Sequence, residues 1–203
     1  MPRSLDAAAR ETAVIDAAWR VIVRDGVAAL TVRRVAAEAG LAPSSLRYSF
    51  PTQAAVRERA LSEVARRTRQ RIDALPAQLP GRAWARSALL ELLPLDPRRR
   101  LEMEVFLALG MASLTDESLV AAWGEADELI RETCARALAA MGVAARDVGA
   151  MEVEEDERRI DGLHSLIDGL ALHLLVPGRR RTADWALTVV DGLLADHEAA
   201  DPS

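Results

Sequence analysis

GLAPSSLRYSF, residues 40 to 50, decides how this chain is read. It reads as a turn followed by a short helix that ends in an aromatic residue. Leu46 and Phe50 stand four apart, so they share one helix face and can pack inward, while Ser44, Ser45, Arg47 and Tyr48 point elsewhere. Hydroxyls, an arginine and a tyrosine on the free face suit a groove in DNA. Just before it, LTVRRVAAEAG (residues 30–40) supplies a first helix. Thr31 is its expected N-cap, Val32, Val35, Ala36 and Ala39 follow helical spacing, and Gly40 can take the positive φ that stops it. Two short helices joined by a glycine turn make a helix-turn-helix. Upstream, ETAVIDAAWRVIVRDG (residues 11–26) puts Ile15, Ala18, Trp19 and Ile22 on one stripe that can roof the pair, with an apparent stop at Gly26.

From about Arg10 to Gln53 the ordered set Gly26, Thr31, Ala36, Gly40, Leu46 and Phe50, followed by Pro51 and Thr52, resembles the TetR family of one-component transcriptional regulators. The resemblance implies an all-α fold of about nine helices: a helix-turn-helix DNA-binding domain over residues 1–51, then a larger ligand-binding and dimerisation domain over 52–203. Carried over position by position, it marks Thr31, Arg33, Ser44, Ser45, Arg47, Tyr48, Thr52 and Gln53 as the residues that meet DNA. Arg47 would reach a guanine edge or a phosphate, Tyr48 and Thr31 would hold phosphates, and Arg33 would meet base or backbone. The chain departs from the family pattern at Ala42, where a hydroxyl cap is common, at Arg47 and Ser49, where tyrosine or histidine is frequent, and at Gln53, where a phosphate-binding lysine is frequent.

The charge distribution agrees with a nucleic-acid-facing end. All 26 basic side chains among the 203 residues are arginine. Residues 1–72 hold 13 arginines against 7 acids, a balance of +6, and the remainder holds 13 against 24, a balance of −11. The overall charge of −5 thus conceals a basic end, as phosphate neutralisation requires, on an acidic remainder that resists spurious binding. No run of about 18 apolar residues occurs, and the start MPRSLDAAAR lacks an apolar signal core, so a soluble, cytoplasmic protein without a membrane segment is expected. One cysteine, Cys134, excludes an intramolecular disulfide framework, and with three histidines no zinc-type cluster forms. Neither a metal nor a cofactor is expected.

Alanine, leucine and arginine dominate the rest, β-branched runs are absent, and the expectation is helix throughout. A long helix should begin with Pro51 in its first position, next to Thr52, and run to about Leu75. Its N-terminus could hold a phosphate, and its length makes it a lever between ligand and DNA. Pro76, Pro80 and Gly81 mark a loop. Helices follow over about Arg82–Leu93, Arg98–Leu114 and, capped by Thr115 with Ser118 three places on, to about Met141. Met103, Phe106, Met111 and Trp123 are candidates for lining a ligand cavity, although the same residue types at helical spacing fill ordinary cores. Residues 142–157 lose apolar periodicity, become acidic and read as a mobile connection.

The last two helices, RRIDGLHSLIDGLALHLL (residues 158–175) and about Thr182–His197, form a hairpin with apolar residues around more of its circumference than one core needs. The excess implies a partner hairpin, hence a homodimer through the last two helices, and the resemblance implies the same four-helix interface. His164 and His173 lie about 2.5 turns apart and face opposite sides, so they share no metal; His173 completes the candidate ligand set.

The leading functional expectation is a homodimeric repressor released from a palindromic double-stranded operator by an unknown small-molecule effector. An all-α enzyme using the same cavity is the alternative from another class. It lacks a nucleophile elbow, an H-E-x-x-H motif and a glycine-rich phosphate loop, and Asp161 and Asp168, seven apart, are its only imitation of a carboxylate pair. A DNA-binding protein with no effector is the third reading.

Overall fold

A computed structural model of the chain describes residues 2–142, 150–176 and 183–199. Among them are nine α-helices and no strand: α1 (Pro2–Asp25), α2 (Val32–Glu38), α3 (Pro43–Ser49), α4 (Gln53–Asp73), α5 (Gly81–Glu91), α6 (Pro97–Ser113), α7 (Val120–Ala140), α8 (Ala150–Leu175) and α9 (Ala183–Ala199). Single 3-10 turns precede α2 (Val27–Ala29) and α7 (Glu117–Leu119). The helices divide into two compact units, one of residues 1–66 with 101–126 and one of residues 67–100 with 127–203.

In the first unit the apolar stripe of α1 is fully used. Val14, Ile15, Ala18, Trp19 and Ile22 are buried, and α1 packs on α2, which packs on α3. Trp19 meets the need of a buried indole by donating to the carbonyl of Ala60 on α4 at 3.0 Å. Leu46 and Phe50 are 2% and 5% exposed and fasten α3 to this core. Burial of each stabilises the unit by roughly 1.5–3 kcal/mol. Gly26 and Gly40, with φ of 84° and 67°, end α1 and turn the chain from α2 into α3 in a backbone region that L side chains rarely adopt.

Several expected boundaries move, each for a local chemical reason. Pro51 is not inside α4. Thr52 caps that helix by accepting from the Ala55 N–H at 3.0 Å, which leaves Pro51 one place outside. Thr115 does not open α7: its hydroxyl donates back to the Ala112 carbonyl at the end of α6. The cap belongs to Asp116, whose Oδ1 accepts from the Ser118 N–H at 3.1 Å and its hydroxyl at 2.6 Å. Two adjacent cap-forming residues were available, and the carboxylate took the role. Residues 150–157 of the expected connection are helical, because the acids there pair with arginines one turn along, Glu154 with Arg158 and Glu155 with Arg159. Residues 142 and 150–157 aside, that connection lies outside the described residues, as do the turn over 177–181 and Thr182, the expected first residue of α9.

In the second unit α9 packs on α5 and on α8, and Arg86 of α5 clamps Asp191 of α9 through both carboxylate oxygens at 2.5 and 3.2 Å. Leu163, Ile167, Leu170, Val190 and Leu194 are buried. Cys134 is a core residue of α7; burial first, and the Asp168 charge second, push its thiol up to about 12. Asp161 and Asp168 serve separate partners: Asp161 lies 3.6 Å from Arg131, and Asp168 lies 3.4 Å from His164 Nε2. Asp127 of α7 approaches the same nitrogen at 3.5 Å. No described helix is long and apolar enough to cross a membrane.

Candidate nucleic-acid interface

The short helix α3 owes its orientation to the two residues it buries. With Leu46 and Phe50 inward, Ser44, Ser45, Arg47 and Tyr48 are all exposed, Tyr48 to 94%. A phenol ring that far from any packing surface has its face and its hydroxyl available to a partner. Ala42, in the cap position, offers no side-chain acceptor; Pro43 has no N–H to cap, and Ser45 donates to the Ala42 carbonyl at 3.0 Å.

The arginines near α3 fall into two sets. Arg20 and Arg24 of α1 hold Glu38 of α2 at 2.9 and 3.0 Å, and Arg24 and Arg34 both hold Asp25 at 2.9 Å. These contacts hold the carboxyl of Asp25, chiefly through Arg24, and that of Glu38, through Arg20 and then Arg24, below the ordinary range. The network ties α1 to α2 and consumes the charge of Arg20, Arg24 and Arg34. Arg33 and Arg47 are exposed and make no ion pair or hydrogen bond with the described residues. Their guanidiniums retain five donors each for phosphate or a base edge.

Thr31 and Thr52 occupy equivalent positions at two helix starts. Each hydroxyl oxygen accepts a backbone N–H, from Arg34 at 3.1 Å and from Ala55 at 3.0 Å. Both threonines are exposed, and the hydroxyl hydrogen remains to be donated outward. Gln53 is half-buried as the first residue of α4. The sequence-marked residues thus all belong to α2, α3, their caps and the start of α4.

The candidate ligand residues separate. Phe106 of α6 and Trp123 of α7 stack with ring centroids 4.5 Å apart and planes 23° apart. Gly110, one turn beyond Phe106, permits this: a Cβ there would overlap the Trp123 ring. Met103 is half-buried, whereas Met111 is 68% exposed and His173 lies exposed on α8. The imidazole drawn inward is that of His164. No group of three or more metal-binding side chains occurs among the described residues.

One residue of consequence carries no sequence signal. Arg57, in the second turn of α4, turns inward; Nη1 donates to Asp116 Oδ2 at 2.8 Å and Nη2 reaches the Val27 carbonyl at 3.4 Å. Its partners lie 59 and 30 residues away, beyond the reach of helical spacing.

An all-helical chain whose α2 and α3 form a helix-turn-helix with an open donor face defines a DNA-binding regulator. Two sequence-family models agree with that class. One, described as "Bacterial regulatory proteins, tetR family", matches residues 14–60, and one described as "BetI-type transcriptional repressor, C-terminal" matches residues 80–197, more than half of the chain. The chain belongs to the TetR family of transcriptional regulators. It is 28% identical over 191 residues to the HTH-type transcriptional regulator PksA of Bacillus subtilis (strain 168), covering 94% of this chain and 90% of that protein. Among solved structures, a transcriptional regulator from a Rhodococcus species is similar with a TM-score of 0.77 at 23% identity, over 94% of this chain and 96% of that one. The multidrug binding protein EbrR, solved with imidazole, is similar with a TM-score of 0.62 at 26% identity, over 91% and 94% of the two chains.

Proposed function

We propose that this regulator is a homodimeric repressor that holds a palindromic operator through residues 1–51 and releases it when a small molecule binds within residues 52–203. The observation that carries the DNA half is the selective freedom of Arg33 and Arg47 beside an exposed Tyr48, on a motif whose other nearby arginines are neutralised. Arg47, Ser44 and Ser45 would meet base edges, while Arg33, Thr31, Thr52, Tyr48 and Gln53 would hold the backbone.

Dimerisation is supported by apolar residues left in water on and just after α8, Leu172 and Val176, together with half-buried Leu187, Val189 and Leu193 on α9. A second copy of the hairpin would cover them and space two heads for an inverted repeat. The effector reading rests on the Phe106–Trp123 stack, an aromatic layer between α6 and α7 of the chemistry that suits an aromatic or lipophilic molecule, with Met103, Met111 and His173 as further candidates. The description of EbrR as a multidrug binding protein supports an effector of that general kind. Action in the cytoplasm follows from the role.

Binding to a labelled duplex from beside the protein's own coding region, with unlabelled nonspecific DNA and varied salt, tests this reading. Expected is retention that competitor does not abolish, on an inverted repeat, with affinity falling as salt rises. If duplexes drawn from a random pool also show no sequence preference at moderate salt, the reading fails.

A further inference from the structure

The compact unit that contains the helix-turn-helix does not end with α4. It also takes in residues 101–126, which carry most of α6, the 3-10 turn after it and the start of α7. That segment holds Phe106 and Gly110 on α6, Trp123 on α7 and, between the two helices, Asp116. Asp116 has two tasks. Its Oδ1 caps the turn that opens α7, and its Oδ2 receives Arg57 Nη1 at 2.8 Å. Ser118 first and Arg57 second hold its carboxyl below the ordinary range. Arg57 continues the link, because its Nη2 reaches the carbonyl of Val27, in the turn that leads to Thr31 and α2.

We infer that Arg57 and Asp116 are the positioning pair through which a change at the Phe106–Trp123 layer is passed to the DNA-reading helices. The inference rests on the effector reading given above and adds the residues that transmit it. The pair joins two elements directly: both side chains are half-buried, with 19% and 27% exposure, so the ion pair is partly screened, and Arg57 Nε is buried with no acceptor of its own. Movement of the α6–α7 corner therefore carries the guanidinium with it. The guanidinium, in turn, bears on the backbone just before α2.

Gly110→Ala supplies a ligand-free actuator, since its Cβ would displace the Trp123 ring. The full-length protein is compared with Gly110→Ala, Asp116→Asn and the double variant, for affinity to the duplex that the wild type selects from a random pool. Asp116→Asn keeps a cap oxygen for Ser118 and removes the charge that Arg57 holds; Arg57→Lys serves as the conservative second variant. Melting by circular dichroism checks that each folds, and if Gly110→Ala does not, Trp123→Leu replaces it. Expected is a shift in operator affinity of about fivefold or more on Gly110→Ala in the wild-type background, the lower end of ordinary coupling factors. In the Asp116→Asn or Arg57→Lys background that shift falls below about twofold. Equal shifts in both backgrounds make the pair purely structural and overturn the inference. No shift in the wild-type background also overturns it, while leaving the DNA reading intact. If the wild type selects no duplex, the proposed function falls first, and this inference with it.

Discussion

Arginine means different things in the two compact units. In residues 67–100 and 127–203, Arg69 holds Glu132, Arg71 holds Glu91, Arg86 holds Asp191, Arg99 holds Asp96, and Arg131 holds Glu157. In residues 1–66, Arg20, Arg24 and Arg34 are consumed the same way, but Arg33 and Arg47 are not. The +6 balance of the first 72 residues is therefore not a measure of charge ready for phosphate. Among the described residues, acidic partners and carbonyls decide which arginines are left over, and Arg33 and Arg47, which are left over, stand on the helix-turn-helix. A salt dependence set by two arginines per head, with a slope of about −0.9 for each neutralised phosphate, would be shallow for the number of arginines present.

The difference can be broken most severely at the residue that makes α3 face outward. Leu46→Ala should destabilise the first unit by about 2–5 kcal/mol and abolish operator retention, read by thermal melting and gel shift together. Next comes Arg47→Ala, expected to lose roughly 10- to 100-fold in operator affinity and to relax preference at one base pair. Arg33→Ala should weaken all duplexes alike and reduce the salt slope by about 1. Thr52→Ala removes the cap of α4 and should cost about 1 kcal/mol in stability, measured by denaturant melting. Arg86→Ala is the counterpart from the other unit: it breaks a bidentate but exposed pair and should change stability by less than about 1 kcal/mol, with no effect on operator affinity. An Arg86→Ala effect as large as that of Arg47→Ala would dissolve the distinction between the two sets.

The paired set has its own signature in acid. Asp25 and Glu38 have carboxyls lowered by Arg24 and Arg20, so their contribution to stability is present above the ordinary carboxylate range. It disappears as pH falls through their lowered values. Melting of the wild type should show this loss on acidification, and Glu38→Gln should show a smaller one.

What could be read from residues alone was strongest where punctuation is unambiguous. Gly26, Thr31 and Gly40 each have a single local role, and the structure gives each that role, with Leu46 and Phe50 inward. Reading failed where two neighbours could serve one function. Thr115 and Asp116 compete for one cap, and Pro51 and Thr52 for one helix start, and spacing does not choose between them. The acidic run before Arg158 reads as a connection because apolar periodicity is absent there; ion pairs one turn apart form helix without it. Charged residues that turn inward were least legible. Nothing in the α4 sequence distinguishes Arg57 from its exposed neighbours, since its role depends on Asp116 and on a backbone carbonyl distant in the chain.

The buried thiol of Cys134 has a practical consequence. It is the only cysteine in the chain, it is fully enclosed on α7, and a pKa of about 12 keeps it protonated at neutral pH. A thiol-specific reagent can react with it only during excursions that open the helix, so the modification rate reports how often α7 breathes. The native chain thus carries its own stopwatch for local opening. Run with and without operator or a candidate effector, it times the effect of each on the interior with no label added and no residue changed.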